Sequence, residues 1–395
     1  MHASRPLSRA ALVAAVCSLV LSCSSGGSGS GGGASSGGSG TTVAAPEVVY
    51  PGATWAKASA ASMGFDQAKL DAIAGLAEKA GSNCLLVAGR GKVVGEWNWR
   101  GRTADTPGEV FSATKSYGST LVGIAQAEGK LDIGDKASKY VTAWQGTPSA
   151  GVTIRQILSN DSGRELSPAV DYTQLPFAPD MDHLAIGLRQ EAKPGSTWGY
   201  NNSAIQTLNT VLTKATGESP ARYAQDKLLG PIGMAHSTMT TDRAGNTKIF
   251  MGLQSTSEDM ARFGYLFLRD GRWSGRQVVP AAWVKAATGQ PSQPLNDAYG
   301  YLWWLNRKGT VLGPIQATTG VAGADRPERQ LAPGAPEDMY FALGLGDQVI
   351  AVDPGSETVV VRLGPARAPQ GAAPFDATAA SKVVTEALTD RAAGG

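Results

Sequence analysis

Apolar positions change their spacing along this chain, and each change predicts an element. In SMGFDQAKLDAIAGLAEKAG (62–81) they recur every three to four residues, which predicts an amphipathic helix ending at Gly81. NCLLVAGRGKVVGEWNWRG (83–101) is two apolar runs across a Gly-Arg-Gly turn, the pattern of a β-hairpin. From Leu131 to about Thr288 the spacing is mostly helical, in VTIRQILSN, NSAIQTLNTVLTKATG, SPARYAQDKLLG and STSEDMARFGYLFLRDG. Ser255 and Glu258 form a capping box at the start of the last of these. After Tyr299 come the strand-like runs YGYLWWLN, DMYFALGL, QVIAVDP and TVVVRLG, and DATAASKVVTEALTDRA closes as a helix.

Strands therefore lie at both ends and helices in the middle. One sheet must collect strands from both ends, and sequential hairpins make it mostly antiparallel. The expected class is α/β, in the α+β sense: a sheet covered by helices with an inserted all-helical lobe. The sheet lobe takes about 48–130 and 295–395, and the helical lobe about 131–294. A cleft between two such lobes is a natural ligand site.

Composition adds a leader. Arg5 and Arg9 precede the apolar run AALVAAVCSLVLS, which is shorter than the ~20 residues a spanning helix needs. Residues 1–22 read as a signal peptide, and the ending VLSC resembles a bacterial lipobox with Cys23 as the lipidated residue. The Gly/Ser-rich stretch at 23–47 is a flexible tether to a folded domain at 48–395. The expectation is an exported protein, lipid-anchored in a bacterial cell envelope. Without the leader, 33 basic residues stand against 33 acidic ones, and there is no long basic run, so nucleic acid is not an expected partner. Of the three cysteines only Cys84 lies in the folded part, in a strand-like run, where it reads as a buried apolar residue. His183 follows FAPDMD in a polar loop and His236 follows PIGMA; neither sits in a metal-ligand pattern, so no metal or cofactor is implied.

The candidate chemistry starts at FSATKS (111–116). Ser112 and Lys115 are three apart at a helix start, so both side chains share a face. A serine hydroxyl is a weak nucleophile until a base takes its proton, and a lysine can do so only when neutral. Burial and a helix N-terminus both lower a lysine pKa. This spacing alone is a weak signal, since serine also starts helices for structural reasons. In KPGSTWGYNNSAIQTL, Tyr200 and Asn202 are two apart in a turn and can point the same way into a cleft. Tyr200 would share a proton with Lys115, and Asn202 would donate to a substrate carbonyl and hold Lys115. The only G-x-S-x-G match, Gly33–Gly37, falls in the tether and is a compositional accident.

FSATKS, YNN and GLGDQVIAVDP resemble, in order and spacing, the three motifs of the serine β-lactamase and penicillin-binding-protein superfamily. The resemblance is to its class C-like branch, with esterases, D-amino-acid peptidases and 6-aminohexanoate-dimer hydrolases, and covers roughly Gly64 to Pro365. It implies Ser112 as acylated nucleophile, Lys115 as general base, Tyr200 as proton shuttle and Asn202 as the motif asparagine. It also implies the N–H of Leu345, beside that of Ser112, as the second oxyanion donor. Gly344 aligns with the glycine of the third motif, and there this chain departs from the pattern: Ala342 and Leu343 replace the lysine and threonine. That lysine helps to hold a substrate carboxylate, so β-lactams and D-Ala peptides become doubtful substrates. Trp198 and Tyr172 are expected to line the cleft. The expected activity is hydrolysis of an ester or small amide, with a β-lactamase or D-Ala-processing peptidase as one alternative and a non-catalytic envelope-binding module as another.

Overall fold

The computed structural model describes residues 48–314 and 328–389. In chain order the strands are β1 (Cys84–Gly89), β2 (Lys92–Asn98), β3 (Gly108–Glu109), β4 (Thr238–Met239), β5 (Leu253–Ser255), β6 (Arg272–Trp273), β7 (Arg276–Gln277), β8 (Trp304–Leu305), β9 (Tyr340–Gly344), β10 (Gln348–Asp353) and β11 (Thr358–Leu363). The helices are α1 (Gln67–Lys79), α2 (Thr114–Ala127), α3 (Ile154–Leu158), α4 (Met181–Gly187), α5 (Asn202–Gln206), α6 (Leu208–Thr216), α7 (Pro220–Ala224), α8 (Ser257–Leu268), α9 (Ala281–Thr288) and α10 (Ala377–Lys382).

The main sheet runs β2-β1-β11-β10-β9-β8, and its pairs are antiparallel. It draws strands from both ends of the chain, as the apolar pattern predicts. β1, β10 and β11 are buried at every position, because α8 packs against all three and α1 and α10 also lie on these strands. Strands covered on both faces read as continuous apolar runs rather than alternating ones. Gly264 lets α8 settle onto the sheet: a Cβ there would lie 2.7 Å from a Val359 methyl. The hairpin turn places Arg90 and Gly91 at φ 48° and 80°, the left-handed pair that a tight antiparallel turn favours.

Helix α1 starts at Asp66, whose carboxylate accepts from the Lys69 N–H, and its end is followed by Gly81 at φ 81°. The cap of α8 is Thr256, which accepts from the Asp259 N–H; Ser255 instead belongs to β5 and shares a hydrogen bond with Ser237, so the capping box expected at Ser255 and Glu258 is not formed. His183 lies on α4 rather than in a loop; its N–H is capped by Asp180. The middle of the chain also carries the short strands β4 to β7, with β3, β5 and β4 forming a small separate sheet.

Helix α2 runs through the interior and is buried on all sides from Thr114 to Ala125. Two glycines allow this: a Cβ on Gly118 would lie 2.8 Å from Ile249, and one on Gly123 would lie 2.3 Å from the Trp283 ring. Two of its polar residues are paired inside, with Ser116 donating to the Leu302 carbonyl and Thr120 to the Ser116 carbonyl. A buried helix fixed this firmly is a rigid base for whatever stands at its N-terminus.

Candidate active site

Ser112 stands on a 3-10 turn, Phe111–Ala113, that feeds directly into α2. A turn of three residues eclipses positions i and i+3, and the Lys115 Nζ meets the Ser112 Oγ at 2.8 Å. Phe111 takes φ 47°, a left-handed conformation that costs a bulky residue roughly 1–3 kcal/mol. Glu109 holds this strained residue: its carboxylate accepts from the Phe111 N–H at 3.0 Å, the Gly252 N–H at 2.8 Å and the Gln254 side chain. Ser112 remains half-buried and accessible, while Lys115 is 1% exposed.

Burial pushes the Lys115 amine well below its ordinary value, and among the described residues the charge that opposes this is that of Asp171. The amine also donates to the Phe250 carbonyl at 2.8 Å, which orients it. Nζ lies 4.8 Å from the centre of the Tyr200 ring. Burial pushes the Tyr200 phenol upward, with the Ser112 hydrogen bond pulling the other way and Tyr172 and Asp171 adding to the rise. At neutral pH this favours an uncharged amine beside an uncharged phenol, a base and an acid on either side of one hydroxyl.

Asn202 is brought here but not to Lys115. Its side-chain amide donates to the Asp171 carbonyl at 3.4 Å, and its buried Oδ1 has no partner among the described residues. The lysine is held by Phe250 instead, which corrects the expectation that Asn202 holds it. Asn201 caps α5 by accepting from the Ala204 N–H, and its amide ties the segment to the Glu165 carbonyl.

The end of β9 closes the site from the sheet side. A Cβ on Gly344 would lie 2.2 Å from the Val110 carbonyl, so only glycine lets the strand approach the turn that carries Ser112. Leu345 follows on the β9–β10 turn, 59% exposed. Ala342, by contrast, is 1% exposed, inside the core.

Trp198 is 5% exposed and packs edge-on against Tyr299 and Trp304, and Tyr200 stacks on Trp304 at 5.6 Å. It shares the Tyr299 and Trp304 rings with Tyr200, and it also borders a depression of about 180 Å³ with Asn160, Arg164 and Glu191. Tyr172 is 43% exposed; partial burial and the Asp171 charge push its phenol up to about 12. Cys84 is buried, which pushes its thiol up to about 11. Cys23 lies outside the described residues.

Sequence reasoning missed Glu109, the Phe250 carbonyl and Asp171. Asp171 accepts from the N–H groups of Asn202 and Ser203 and from the Ser203 hydroxyl, across 31 and 32 residues of chain. No local spacing signals such a contact.

Comparison with known proteins gives the chain relatives and a family. A curated relative, the 6-aminohexanoate-dimer hydrolase of Paenarthrobacter ureafaciens, is 23% identical over 60% of this chain and 68% of its own. An uncharacterized protein of Alkalihalophilus pseudofirmus is 23% identical over 53% of this chain, and the match spans 63% of that relative's length. Among solved structures, the octameric penicillin-binding protein homologue from Pyrococcus abyssi superposes with a TM-score of 0.60 at 17% identity, covering 81% of this chain and 76% of that one. The family model described as Beta-lactamase matches residues 67–385. With a Ser-x-x-Lys pair in hydrogen-bond contact inside that span, the chain belongs to the Beta-lactamase family.

Proposed function

We propose that this protein is exported and lipid-anchored through Cys23, forms an acyl-enzyme at Ser112, and hydrolyses an ester or a small amide. The observation that carries the reading is the buried Lys115 amine, 2.8 Å from the Ser112 Oγ and lowered by burial toward its neutral form. Lys115 takes the hydroxyl proton as Oγ attacks the substrate carbonyl. The N–H groups of Ser112 and Leu345 receive the oxyanion. Tyr200, kept protonated by its surroundings, hands a proton to the leaving oxygen or nitrogen. Water, activated by the same pair, then releases the acid. Tyr172 and Leu345, both partly exposed, border the substrate.

Ala342 favours esters and small amides over carboxylate-bearing β-lactams, since no cation stands at that strand position. The Paenarthrobacter relative is named for hydrolysing an aminohexanoate dimer, which supports a small amide. The test is a fluorophosphonate probe on wild type and Ser112→Ala, followed by p-nitrophenyl esters, short amides and nitrocefin. Labelling that requires Ser112, with ester or amide turnover, is expected. No labelling and no turnover would leave a binding module, and nitrocefin as the fastest substrate would make it a β-lactamase.

A further inference from the structure

Lys115 must pass through an ammonium state while it is 1% exposed, and no bulk water is available to solvate that charge. Acylation makes the problem explicit. The Ser112 O–H bond breaks, its proton joins Nζ, Oγ forms a bond to the substrate carbon, and the carbonyl electron pair moves onto oxygen. A neutral amine has become a buried cation beside a new oxyanion, until the proton passes to the leaving group. Something fixed and negative has to face the amine during that interval.

We propose that Asp171 is this counter-ion, a positioning residue that sets the basicity of Lys115 from a site built into the first turn of α5. The inference rests on the serine-hydrolase reading above. Asp171 is 1% exposed. It lies on a π-helical turn, Val170–Gln174, a local distortion found often at functional sites. All its bonds to the carboxylate come from donors: the Asn202 N–H at 2.9 Å, the Ser203 N–H at 3.1 Å and the Ser203 hydroxyl. Burial raises this carboxyl, and three donors with no bonded cation among the described residues work the other way, favouring the carboxylate and leaving its field to act on a neighbour. The donors begin two residues after Tyr200, whose ring lies against Lys115, so the same segment places acid, base and counter-ion together.

The groups around the amine fit this assignment. Ser112 on the turn before α2 and the Phe250 carbonyl before β5 are neutral. Tyr200 and Tyr172 are phenols whose ionisation is suppressed, as is that of Tyr299 beside Tyr200. Among the described residues Asp171 supplies the negative charge that raises Lys115, and Lys115 in return opposes the burial that raises Asp171. A helix-capping role alone would need a hydrogen-bond acceptor, not a charge: a neutral asparagine would serve, as Asn201 does one residue earlier.

The test is the pH profile of kcat/KM for the full chain with a p-nitrophenyl ester. Removing the anion makes Lys115 a weaker base. Asp171→Asn is therefore expected to lower kcat at neutral pH by about tenfold or more, and to move the acid limb toward lower pH. Ser203→Ala removes one donor but keeps the charge, and should leave the limb in place. A folded Asp171→Asn enzyme whose limb does not move overturns the proposal. Should that variant not fold, Asp171→Glu keeps the charge and is expected to hold the limb at its wild-type position even where kcat falls; a limb displaced downward there overturns it equally. Fluorophosphonate labelling separates the two claims. Turnover that survives Ser112→Ala defeats the serine-hydrolase reading, whereas Ser112-dependent labelling with an unmoved limb defeats only the role of Asp171.

Discussion

Lys115 is where the fold and the proposed chemistry conflict. A neutral buried amine is a usable base, but the folded protein binds fewer protons there than the unfolded chain does. The unfolded lysine titrates near 10.4. Between the lowered folded value and that point, stability must rise with pH, because the unfolded state holds the extra proton. Lys115→Met is expected to abolish this slope; thermal unfolding from neutral to alkaline pH, compared with wild type, reads it. An identical slope in both proteins would mean that Lys115 is charged in the fold. Lys115→Arg makes the complementary point. It keeps a cation that cannot deprotonate, so kcat/KM should fall by about 10²–10⁴-fold, the usual range for a lost general base. Most of the esterase activity surviving would show that another group takes the serine proton.

At the scale of elements, much was legible and the remainder has physical reasons. Helix α1, the β1–β2 hairpin and strands β9 to β11 fall where the apolar spacing puts them, because each presents one uninterrupted pattern to the core. The run at 299–306 shrinks to the two residues of β8, and α4 is too short, at seven residues, for helical spacing to announce itself. Ser112, Lys115 and Tyr200 were legible because each belongs to a local motif. Glu109 and Asp171 were not, since their partners are far away in sequence. The junction of β9 with the turn at Ser112 carries its own prediction. Gly344→Ala puts a methyl 2.2 Å from the Val110 carbonyl and must push strand and turn apart. Overpacking of this kind costs roughly 1–3 kcal/mol, and a displacement of ~1 Å at a reacting centre costs about 10²-fold in rate. As a control, Gly75→Ala on α1, with open space around it, should leave kcat unchanged and stabilise slightly. Equal kinetics for the two variants would remove the strand from the oxyanion site.

For the whole molecule, selectivity is the accessible readout. A charge-assisted hydrogen bond to a substrate carboxylate is worth about 1.5–3 kcal/mol, which is roughly ten- to a hundred-fold in kcat/KM. Without a cation at position 342, simple esters should be cleaved at least tenfold faster than nitrocefin. Ala342 is 1% exposed, so Ala342→Lys would have to desolvate its ammonium and is a poor variant for testing that gap. Arg329, a candidate substitute cation, donates to the Val311 carbonyl, while Arg326 lies outside the described residues. The proposed anchor has a simple fractionation test. Cys23→Ser should move the protein from membranes to the soluble fraction, since stable anchoring needs more than one lipid chain; wild-type protein found wholly soluble after export would refute it.

The order of strands has a consequence for how the chain is made. β11 sits between β1 and β10, so the N-terminal hairpin finds its sheet partner only after some 270 further residues have left the ribosome. The ends of the domain also meet late: the Asp66 N–H donates to the Ala387 carbonyl, and Thr389 reaches back to Gly64. Such distant pairings pay their loop-closure entropy before any contact rewards it, which slows folding. A nascent chain built this way cannot complete its main sheet until synthesis is nearly finished, a delay that would suit the proposed export, since a translocation channel threads an open chain.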